Sequence, residues 1–352
     1  MPRIFVDTQR LRDLNSGLGQ VCLHLGRELV RQQTPTDTLT FLVPEGGSGV
    51  FGNDVQYVTA TWSRRFGMPG GPYDLWHCPH QDSVYLPRRA PLVLTIYDLN
   101  FLERPDYSPA KKAWRLARLQ RKIDRAALIT TGSDYTAGVV RQHLRLPDTL
   151  PVKTIYTGVA IDPGKAPDTC PLAGQLTRPF FLFLGVIHPK KNAHVLLPLL
   201  EAFPDYGLVM AGPDGHPYAQ HIREQAARLG VADRLLLPGA VDEPTKLWLY
   251  RQCEAFLFPS LSEGFGLPVA EAMAFGKPVF CSNLTSLPEV GGTEAVYWEN
   301  FEPDYLVDTF REGMMAYHED PLRADRLRWQ SRRFSWERIA REYWTTYREV
   351  LR

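Results

Sequence analysis

Short apolar runs of strand length alternate with helical patterns along nearly the whole of this 352-residue chain. Val21, Leu25 and Leu29, for example, recur at the spacing that places side chains on one face of a helix. Alternating strands and helices favour parallel sheets, because a parallel crossover needs about a dozen residues and usually takes them as a helix. The chain is therefore predicted to be an α/β protein whose sheets are covered by helices on both faces.

The alternation occurs twice, on either side of a segment rich in proline and glycine. Before this segment the pattern predicts strands at 4–6, 39–43, 55–59, 73–76, 92–96, 126–131 and 151–156, and helices at 17–31, 109–125 and 134–144. After it, strands are predicted at 180–184, 208–211, 235–237, 255–258, 278–281 and 295–298. This pattern indicates two Rossmann-like, doubly wound domains that face each other across a cleft.

The segment between the two halves marks the expected domain boundary. It contains Pro163, Gly164, Pro167, Pro171, Gly174 and Pro179. Such a density of residues that break helices and strands is typical of a linker. We expect a first domain over 1–165, a linker over 166–178 and a second domain over 179–335. Ligands of doubly wound sheets bind beyond the carboxyl ends of the strands, so the expected site is the cleft between the domains.

The overall charge argues against one class of function. Forty Lys and Arg residues against 39 Asp and Glu residues give a formal net charge of +1, so nucleic-acid binding by bulk charge is not expected. No apolar run reaches the length of about 18 residues that a transmembrane helix needs, and the first residues have the pattern of a strand, not of a signal peptide. The five scattered cysteines, without a Cys-x-x-Cys pair, suit a reducing compartment. We expect a cytoplasmic protein.

A loop that follows a predicted buried strand carries the clearest chemical signal. It contains Gly264 and Gly266 and leads into a helix with Pro268 in its first turn. Glycines let a backbone approach a ligand closely, and the free N–H groups of a loop and helix start can hold a diphosphate. Glu263 in the loop and Glu271 in the helix can accept hydrogen bonds from sugar and ribose hydroxyls. Taken singly, each glutamate is more commonly an exposed loop residue or a helix residue that favours the dipole.

The segment Pro-Ser-Leu-Ser-Glu-Gly-Phe-Gly-Leu-Pro-Val-Ala-Glu-Ala-Met-Ala resembles the E-x7-E motif of family 4 glycosyltransferases. Those enzymes have the GT-B fold of two Rossmann-like domains and retain the anomeric configuration of the sugar. The resemblance implies that Glu263 contacts the donor sugar and that Glu271 contacts the ribose of the nucleotide. It also implies that the turn offers backbone amides to the sugar and phosphates, from Gly264, Phe265, Gly266 and Leu267.

Further matches to this family lie elsewhere in the second half. The segment 183–192, Phe-Leu-Gly-Val-Ile-His-Pro-Lys-Lys-Asn, is similar to a family segment in which a basic residue binds the diphosphate. By resemblance Lys191 takes that role and Lys190 supports it, while Val186 stands where the family often has an arginine. The segment 336–352 resembles the family's final helix, which packs back on the first domain.

The resemblance also assigns the two domains. The second would bind the nucleotide sugar, with the backbone near Gly239 and Val241 framing the base, and the first would bind the acceptor. The loop 15–19, Asn-Ser-Gly-Leu-Gly, resembles a glycine loop that approaches the donor phosphate from the first domain through Gly17 and Gly19. A simple turn before a helix would have the same pattern.

One family motif is altered in the first domain. After the predicted strand 92–96 come Tyr97 and Asp98, where the family usually has His-Asp-Leu with its histidine near the donor sugar. The resemblance implies a catalytic position for Tyr97 and Asp98, with Tyr97 in place of the histidine. His77 and His80, at another strand end, are alternatives for lining the cleft. As a metal pair they lack an evident third ligand nearby.

The predicted helix within 108–127 has a basic stripe. Its cations recur mostly three or four residues apart: Lys111, Lys112, Arg115, Arg118, Arg121, Lys122 and Arg125. Such a stripe is commonly a solvated helix face. It also suits docking on an anionic membrane, where each basic residue near the surface contributes about 1 kcal/mol. A lipid-linked acceptor would fit the second interpretation.

We therefore expect a retaining hexosyltransferase that moves a sugar from a nucleoside-diphosphate sugar to a glycan or lipid-linked acceptor. The resemblance favours GDP-mannose as the donor and lipopolysaccharide or polysaccharide synthesis as the setting, and no metal or other cofactor is expected because no Asp-x-Asp motif is visible. Three alternatives stay open: a nucleotide-sugar epimerase of the same fold, a non-catalytic sugar-binding subunit, and a glycosidase that uses Glu263 and Glu271 as acid and nucleophile. A cytoplasmic protein of this kind could also bind peripherally to the inner face of the cytoplasmic membrane.

Overall fold

A computed structural model describes residues 1–14, 16–65, 71–104 and 106–352 of the chain. The chain divides into two compact units. Met1–Ala160 together with Phe334–Arg352 form the first unit, and Ile161–Arg333 form the second. Each unit has its own parallel sheet with helical crossovers, so the predicted α/β class with two Rossmann-like domains is confirmed.

The first unit contains a seven-stranded sheet in the described part of the chain. Its strands are β1 (Arg3–Asp7), β2 (Thr38–Val43), β3 (Gln56–Thr59), β4 (Leu75–Cys78), β5 (Leu92–Ile96), β6 (Ala126–Thr131) and β7 (Val152–Thr154). Its first three α-helices are α1 (Gly17–Arg31), α2 (Pro109–Ile123) and α3 (Asp134–His143). The strand order is β3-β2-β1-β4-β5-β6-β7, so the direction of winding reverses between β1 and β4.

The second unit contains a six-stranded parallel sheet. Its strands are β8 (Phe180–Leu184), β9 (Gly207–Ala211), β10 (Leu235–Gly239), β11 (Ala255–Phe258), β12 (Val279–Ser282) and β13 (Val296–Trp298). Its helices are α4 (Leu197–Ala202), α5 (Tyr218–Arg228), α6 (Glu243–Gln252), α7 (Leu267–Ala274), α8 (Leu287–Gly291), α9 (Pro303–Glu319) and α10 (Arg323–Arg332). The order β10-β9-β8-β11-β12-β13 reverses between β8 and β11.

The first sheet is buried on both faces, which explains why its strands are almost continuously apolar. Ile4 and Val6 pack into one buried cluster together with Leu25 of α1. Phe5 lies between them in sequence and packs into a separate cluster with Leu119 of α2. Successive side chains of a strand point to opposite faces, so both faces of β1 need apolar residues.

The last helix, α11 (Trp336–Val350), packs on the first unit, next to α1. The indole N–H of Trp344 donates a hydrogen bond to the carbonyl of Leu29 at 3.2 Å. Tyr343 and Tyr347 on the same helix are buried in the cluster that also contains Val21 of α1. The chain therefore returns to its first unit after completing the second.

Several boundaries differ from the sequence-based expectation, among them those of one strand and of the linker. The strand predicted at 73–76 runs from Leu75 to Cys78, because its pairing with β1 begins where Leu75 lies opposite Ile4. The segment 161–178, which includes the predicted linker, belongs to the second unit. It packs against α6, where the indole N–H of Trp248 donates to the carbonyl of Asp168 at 3.3 Å.

Candidate functional site

The loops after β8 and β11 emerge side by side, because these strands are hydrogen-bonded neighbours with Ala255 opposite Phe181. The strand order reverses between them, and such a reversal opens a crevice at the carboxyl edge where ligands of open α/β sheets bind. The first loop continues into a short 3₁₀ helix, Pro189–Lys191, and the second carries Glu263. Two residues predicted from the sequence therefore lie at one sheet edge.

Lys191 and Glu263 form an ion pair at this edge. The Nζ atom of Lys191 contacts Oε1 of Glu263, and only 11% and 12% of the two side chains are exposed. Nζ also lies 5.0 Å from the centroid of the Phe258 ring, a favourable position for a cation. Burial lowers the pKa of Lys191, and the opposing effect of the Glu263 carboxylate does not restore it to its ordinary value. The edge thus holds a largely dehydrated pair of opposite charges.

The loop around Glu263 is held by hydroxyl groups from the segment after β12. The N–H of Glu263 donates to Oγ1 of Thr285 at 3.1 Å. The hydroxyl of Ser286 lies 3.1 Å from the carbonyl oxygen of Glu263 and 2.9 Å from that of Phe265. Hydrogen bonds therefore hold the main chain at Glu263 and at Phe265. Sequence reasoning missed Thr285 and Ser286, because neither belongs to the recognised motif.

Two non-glycine residues of the described chain have a positive φ, and both adjoin this ion pair. Asn192, with φ of 56°, directly follows Lys191. Thr285, with φ of 57°, accepts the N–H of Glu263. Residues other than glycine rarely adopt this backbone region, and such strain, about 1–3 kcal/mol per residue, clusters at functional sites. The two strained residues therefore lie at the same sheet edge as the Lys191–Glu263 pair.

Gly266 directly precedes helix α7 and has a backbone conformation that other residues avoid. Its φ is 104°, and a Cβ at this position would lie 2.5 Å from Cδ2 of Leu287. Both the left-handed backbone and the close contact require glycine. Pro268 follows in the first turn of the helix, where its missing N–H costs nothing. The remaining predicted amide donors share this turn: Gly264, Phe265 and Leu267.

Glu271 lies on α7 and is bonded to two residues of α6. Its Oε1 is 3.1 Å from Nζ of Lys246, and its Oε2 accepts the hydroxyl of Tyr250 at 2.9 Å. Lys246 is also 3.0 Å from the carboxylate of Glu243. Sequence reasoning singled out Glu271 but missed Lys246 and Tyr250, which precede it by 25 and 21 positions. No local spacing rule connects residues that far apart.

Glycines with positive φ stand at the ends of β8, β9 and β10: Gly185, Gly212 and Gly239. A Cβ on Gly212 would lie 2.1 Å from the carbonyl oxygen of Gly185, so these two loops touch through their main chains. The N–H of Gly212 donates to the carbonyl of Gly239 at 2.8 Å. Gly239, a predicted base-framing residue, thus ends β10, and Val241 lies between β10 and α6.

Lys190 and Val186 complete the loop after β8. The carbonyl of Lys190 accepts the N–H of Leu261 at 2.8 Å and lies 3.3 Å from the hydroxyl of Ser260. These bonds connect the loop after β8 to the loop that carries Glu263. Val186 is 49% exposed at the position where the family often has an arginine.

In the first unit, Tyr97 is a core residue and Asp98 shapes the loop after β5. Tyr97 is only 9% exposed and packs in the buried cluster with Tyr343 of α11. Burial and the neighbouring Tyr343 raise the pKa of Tyr97 well above its ordinary value. The carboxylate of Asp98 accepts the N–H of Asn100 at 3.1 Å, and its carbonyl accepts the side-chain amide of Gln81 at 3.0 Å.

His77 and His80 lie in the interior of the first unit and have no exposed surface. The ring of His77 lies between Thr95 Oγ1, at 3.0 Å from Nε2, and the hydroxyl of Tyr347, at 2.6 Å from Nδ1. Among the described residues, the ring nitrogens of His80 have no hydrogen-bond partner, and Nε2 is 4.0 Å from the carboxylate of Asp7. Burial lowers the pKa of each imidazole to about 3. Across the described residues, no three His, Cys, Asp or Glu side chains are grouped so as to hold a metal ion.

Gly17 and Gly19 lie in the first turn of α1. The hydroxyl of Ser16 accepts the N–H of Gly19 at 3.1 Å and caps the helix. A Cβ on Gly19 would lie 2.0 Å from the carbonyl oxygen of Asp13, whereas a Cβ on Gly17 would meet nothing within 4 Å. Gly19 is therefore needed for packing, while Gly17 leaves open space at the helix start. Asn15 of the same motif lies outside the described residues.

The basic stripe on α2 is only partly exposed. Lys122 is buried and donates to the carbonyl of Gln81. The guanidinium of Arg115 lies over the rings of Phe101 and Tyr107. The most exposed part of the helix includes Trp114, Lys111 and Arg121, and Trp114 is 58% exposed. None of the described helices is long and apolar enough to cross a membrane.

One family model matches most of the second unit. Residues 172–333 match the model of the family described as Glycosyl transferases group 1. The matched range contains the Lys191–Glu263 pair, the turn at Gly266 and the contacts of α6 with Glu271.

Several sequence relatives act on sugars according to their names. The O-antigen chain mannosyltransferase B of Escherichia coli is 28% identical over 282 residues, which cover 76% of this chain and 73% of that protein. The D-rhamnosyltransferase WbpZ of Pseudomonas aeruginosa is 29% identical over 60% of this chain and 54% of its own length. A serotype-specific mannosyltransferase WbdA of Escherichia coli is 35% identical over 46% of this chain, and the matched part is only 20% of its length.

Solved structures share the fold over almost the entire chain. Anabaena HepE, solved in complex with UDP and glucose, superposes with a TM-score of 0.74 over 99% of this chain and 100% of its own, at 17% identity. A sucrose-phosphate synthase of Thermosynechococcus elongatus superposes with a TM-score of 0.71 over 99% of both chains, at 16% identity. The fold is thus that of GT-B glycosyltransferases, and residues 172–333, just under half of the chain, are similar to the group 1 glycosyltransferases.

Proposed function

We propose that the protein is a retaining glycosyltransferase that moves a hexose, with mannose as the favoured sugar, from a nucleoside-diphosphate sugar to a glycan or lipid-linked acceptor. The observation that carries this proposal is the Lys191–Glu263 pair at the β8/β11 edge, beside the glycine turn that begins α7. This arrangement combines a cation, a hydrogen-bond acceptor and the backbone amides of a glycine turn. A phosphorylated sugar needs all three.

The chemistry assigned to each group follows from its charge. Negative charge develops on the departing diphosphate, and a preorganised ammonium such as that of Lys191, together with the amides of Gly264 to Gly266, would stabilise it. The carboxylate of Glu263 can accept hydrogen bonds from the sugar hydroxyls. Glu271 would accept those of the ribose, and the main chain near Gly239 and Val241 would frame the base. Lys190 would support Lys191 in binding the diphosphate.

Retention of configuration follows if the acceptor hydroxyl attacks from the face that the leaving group vacates. In this proposal an oxygen of the departing phosphate takes the proton of the acceptor, and neutralisation by Lys191 replaces a divalent metal ion. Transfer should therefore continue in the presence of EDTA. The anomeric configuration of the product, read by NMR, tests the stereochemical part, and an inverted product would contradict it.

The proposed donor and acceptor derive from relatives. The names of the O-antigen and serotype-specific mannosyltransferases support mannose as the sugar and a bacterial surface polysaccharide as the acceptor. GDP-mannose is the proposed donor. Because HepE was solved with UDP-glucose, UDP-glucose is the comparison donor. A cytoplasmic location, with peripheral binding to the inner face of the cytoplasmic membrane through α2, would bring a lipid-linked acceptor within reach.

The test is a transfer assay with GDP-mannose, UDP-glucose and lipid-linked oligosaccharide acceptors. Donor binding is measured first by thermal shift, since a ligand at 100 times its Kd stabilises a protein by about 2.7 kcal/mol. Transfer that is lost in Lys191→Ala and Glu263→Ala variants supports the proposal. An altered sugar nucleotide formed without acceptor would indicate an epimerase, and sugar release without any nucleotide would indicate a glycosidase. Donor binding without transfer to any acceptor would indicate a sugar-binding subunit.

A further inference from the structure

Two residues of α6 hold the carboxylate of Glu271 from the same side. Lys246 and Tyr250 are four residues apart on α6, one helical turn, and therefore share a face of the helix. The ammonium of Lys246 is 3.1 Å from Oε1, and the hydroxyl of Tyr250 is 2.9 Å from Oε2. Each carboxylate oxygen thus has its own donor. The two bonds together fix both the position and the rotation of the carboxylate plane.

The three side chains are shielded from water to different degrees. The side chains of Glu271 and Lys246 are 13% and 18% exposed, and Tyr250 has no exposed surface. Burial opposes the charge on Lys246, but the carboxylates of Glu271 and Glu243 more than compensate and raise its pKa. Burial and the nearby Glu271 raise the pKa of Tyr250 well above its ordinary value. Lys246 therefore stays charged and Tyr250 keeps its proton, so both remain hydrogen-bond donors.

The bonds leave part of the carboxylate available. An ionised carboxylate accepts about four hydrogen bonds, two at each oxygen. Lys246 occupies one position on Oε1 and Tyr250 one position on Oε2. One acceptor position on each oxygen remains, which matches the two neighbouring hydroxyls of a ribose. An acceptor held in this way loses little rotamer entropy when the diol binds.

We propose that Lys246 and Tyr250 are positioning residues that orient Glu271 to recognise the 2′- and 3′-hydroxyls of the donor nucleotide. This inference rests on the proposed function, because it takes Glu271 as the ribose-binding carboxylate. It goes further by assigning ribose selectivity to α6, which carries no residue of the recognised motif. Neither residue needs to touch the nucleotide.

Calorimetric titration with GDP and UDP, and with their 2′,3′-dideoxy forms, tests this inference. The variants are Lys246→Met, Tyr250→Phe and Glu271→Gln. The control is Tyr317→Phe, which removes a hydroxyl that donates to the carbonyl of Gly276 at 2.8 Å and not to Glu271. Tyr250→Phe keeps the shape of the ring and so is expected to fold. We expect the Lys246 and Tyr250 variants to bind the ribonucleotide about 10- to 100-fold more weakly, as for loss of one bond to a charged group. Their affinity for the dideoxynucleotide should stay within about twofold of that of the unmodified protein, because the missing hydroxyls no longer contact Glu271.

The outcomes distinguish a failure of the positioning role from a failure of the proposed function. Equal weakening of ribo- and dideoxynucleotide binding would overturn the positioning role, because it would indicate a general structural defect. Unchanged selectivity in both variants would overturn it as well. Binding of neither GDP nor UDP by the unmodified protein would instead count against the proposed function. In steady-state assays the variants should raise the KM for the donor and leave kcat within about threefold, and Lys246→Arg should recover part of the loss.

Discussion

The ammonium of Lys191 contacts the carboxylate of Glu263, although 72 positions separate the two residues in the chain. The contact exists because β8 and β11 are neighbours in the sheet. With so little of either side chain exposed, each residue would be an uncompensated charge without the other. The pair therefore has a structural role as well as the proposed chemical one, and single substitutions will mix the two.

A double-mutant cycle separates these roles. Lys191→Met and Glu263→Gln should each lower the free energy of unfolding, by up to about 3 kcal/mol for a pair this dehydrated. Each substitution leaves the other residue as a buried charge without an opposite charge beside it. The double variant should regain much of that stability, since neither charge then remains, but it should not regain sugar transfer. Urea unfolding and the transfer assay measure the two quantities. Full activity in the double variant would remove the pair from the mechanism.

Substitution of Gly266 should disrupt the turn before α7. Gly266→Ala places a Cβ 2.5 Å from Leu287 at a φ of 104°, so we expect a loss of unfolding free energy of at least about 1 kcal/mol from backbone strain alone and weaker donor binding. Gly138→Ala is the matched control, because Gly138 lies in α3 with nothing within 4 Å of the added Cβ. There, better helix propensity should stabilise the protein by about 0.5–1 kcal/mol. Equal effects of the two substitutions would contradict the strain argument.

Stability should fall in mildly acidic solution because of the two buried histidines. Burial lowers the pKa of His77 and His80 to about 3, so the unfolded chain binds protons that the folded protein excludes. This contribution to stability is complete above about pH 6.5 and is lost as the pH falls toward 3. Between pH 7.5 and 5.0 each histidine accounts for about 2 kcal/mol. Asp7, whose pKa burial raises to about 6, acts in the opposite direction: the folded protein holds its proton more tightly, which offsets about 1 kcal/mol over this interval.

His80→Leu tests that assignment. The imidazole has no hydrogen-bond partner in the part of the chain that the structure describes, so an apolar replacement of similar size should leave stability at pH 7.5 unchanged or higher. The stability difference between pH 7.5 and 5.0, measured by urea unfolding, should shrink by about 2 kcal/mol. His143→Gln, at the exposed end of α3, should leave the difference unchanged. A His80 variant that keeps the full acid sensitivity would show that other groups cause it.

The exposed and half-buried cations of α2 should bind anionic lipid if the proposed membrane contact exists. Changing Lys111, Arg118 and Arg121 to Gln should weaken partition to vesicles containing phosphatidylglycerol about 100-fold, given about 1 kcal/mol for each basic residue. Added salt should weaken binding of the unmodified protein as well. The control changes Arg338 and Arg341 of α11, which pair with Glu342 and Glu337. If sedimentation with vesicles is the same for both variants, α2 is not the docking surface.

Local sequence patterns predicted most of the fold. The apolar periodicity located α1 from Gly17 to Arg31, as observed, because the burial of one helix face depends on residues within a few positions of each other. The strands were found in the same way. Their ends shifted where pairing decided them, as at Leu75, which lies opposite Ile4. The pattern contains no information about where a neighbouring strand begins.

The candidate site was predictable to a different extent in the two units. In the second unit Glu263, Gly266 and Glu271 could be located because they belong to one continuous segment. In the first unit, the resemblance to the family made Tyr97 a candidate and a strand-end position made His77 one, and both are buried. Their environment is set by α11, whose Tyr343 and Tyr347 lie in the same buried cluster as Tyr97.

The sequence by itself determined the alternating elements, the glycine turn and the presence of the acidic and basic residues, since all of these depend on neighbours along the chain. Only the tertiary structure decided which charges pair, which histidines lose contact with water and which helix supports Glu271. The physical reason is that desolvation and hydrogen bonding depend on distances in space. The partners that set them come from strands and helices tens or hundreds of residues away.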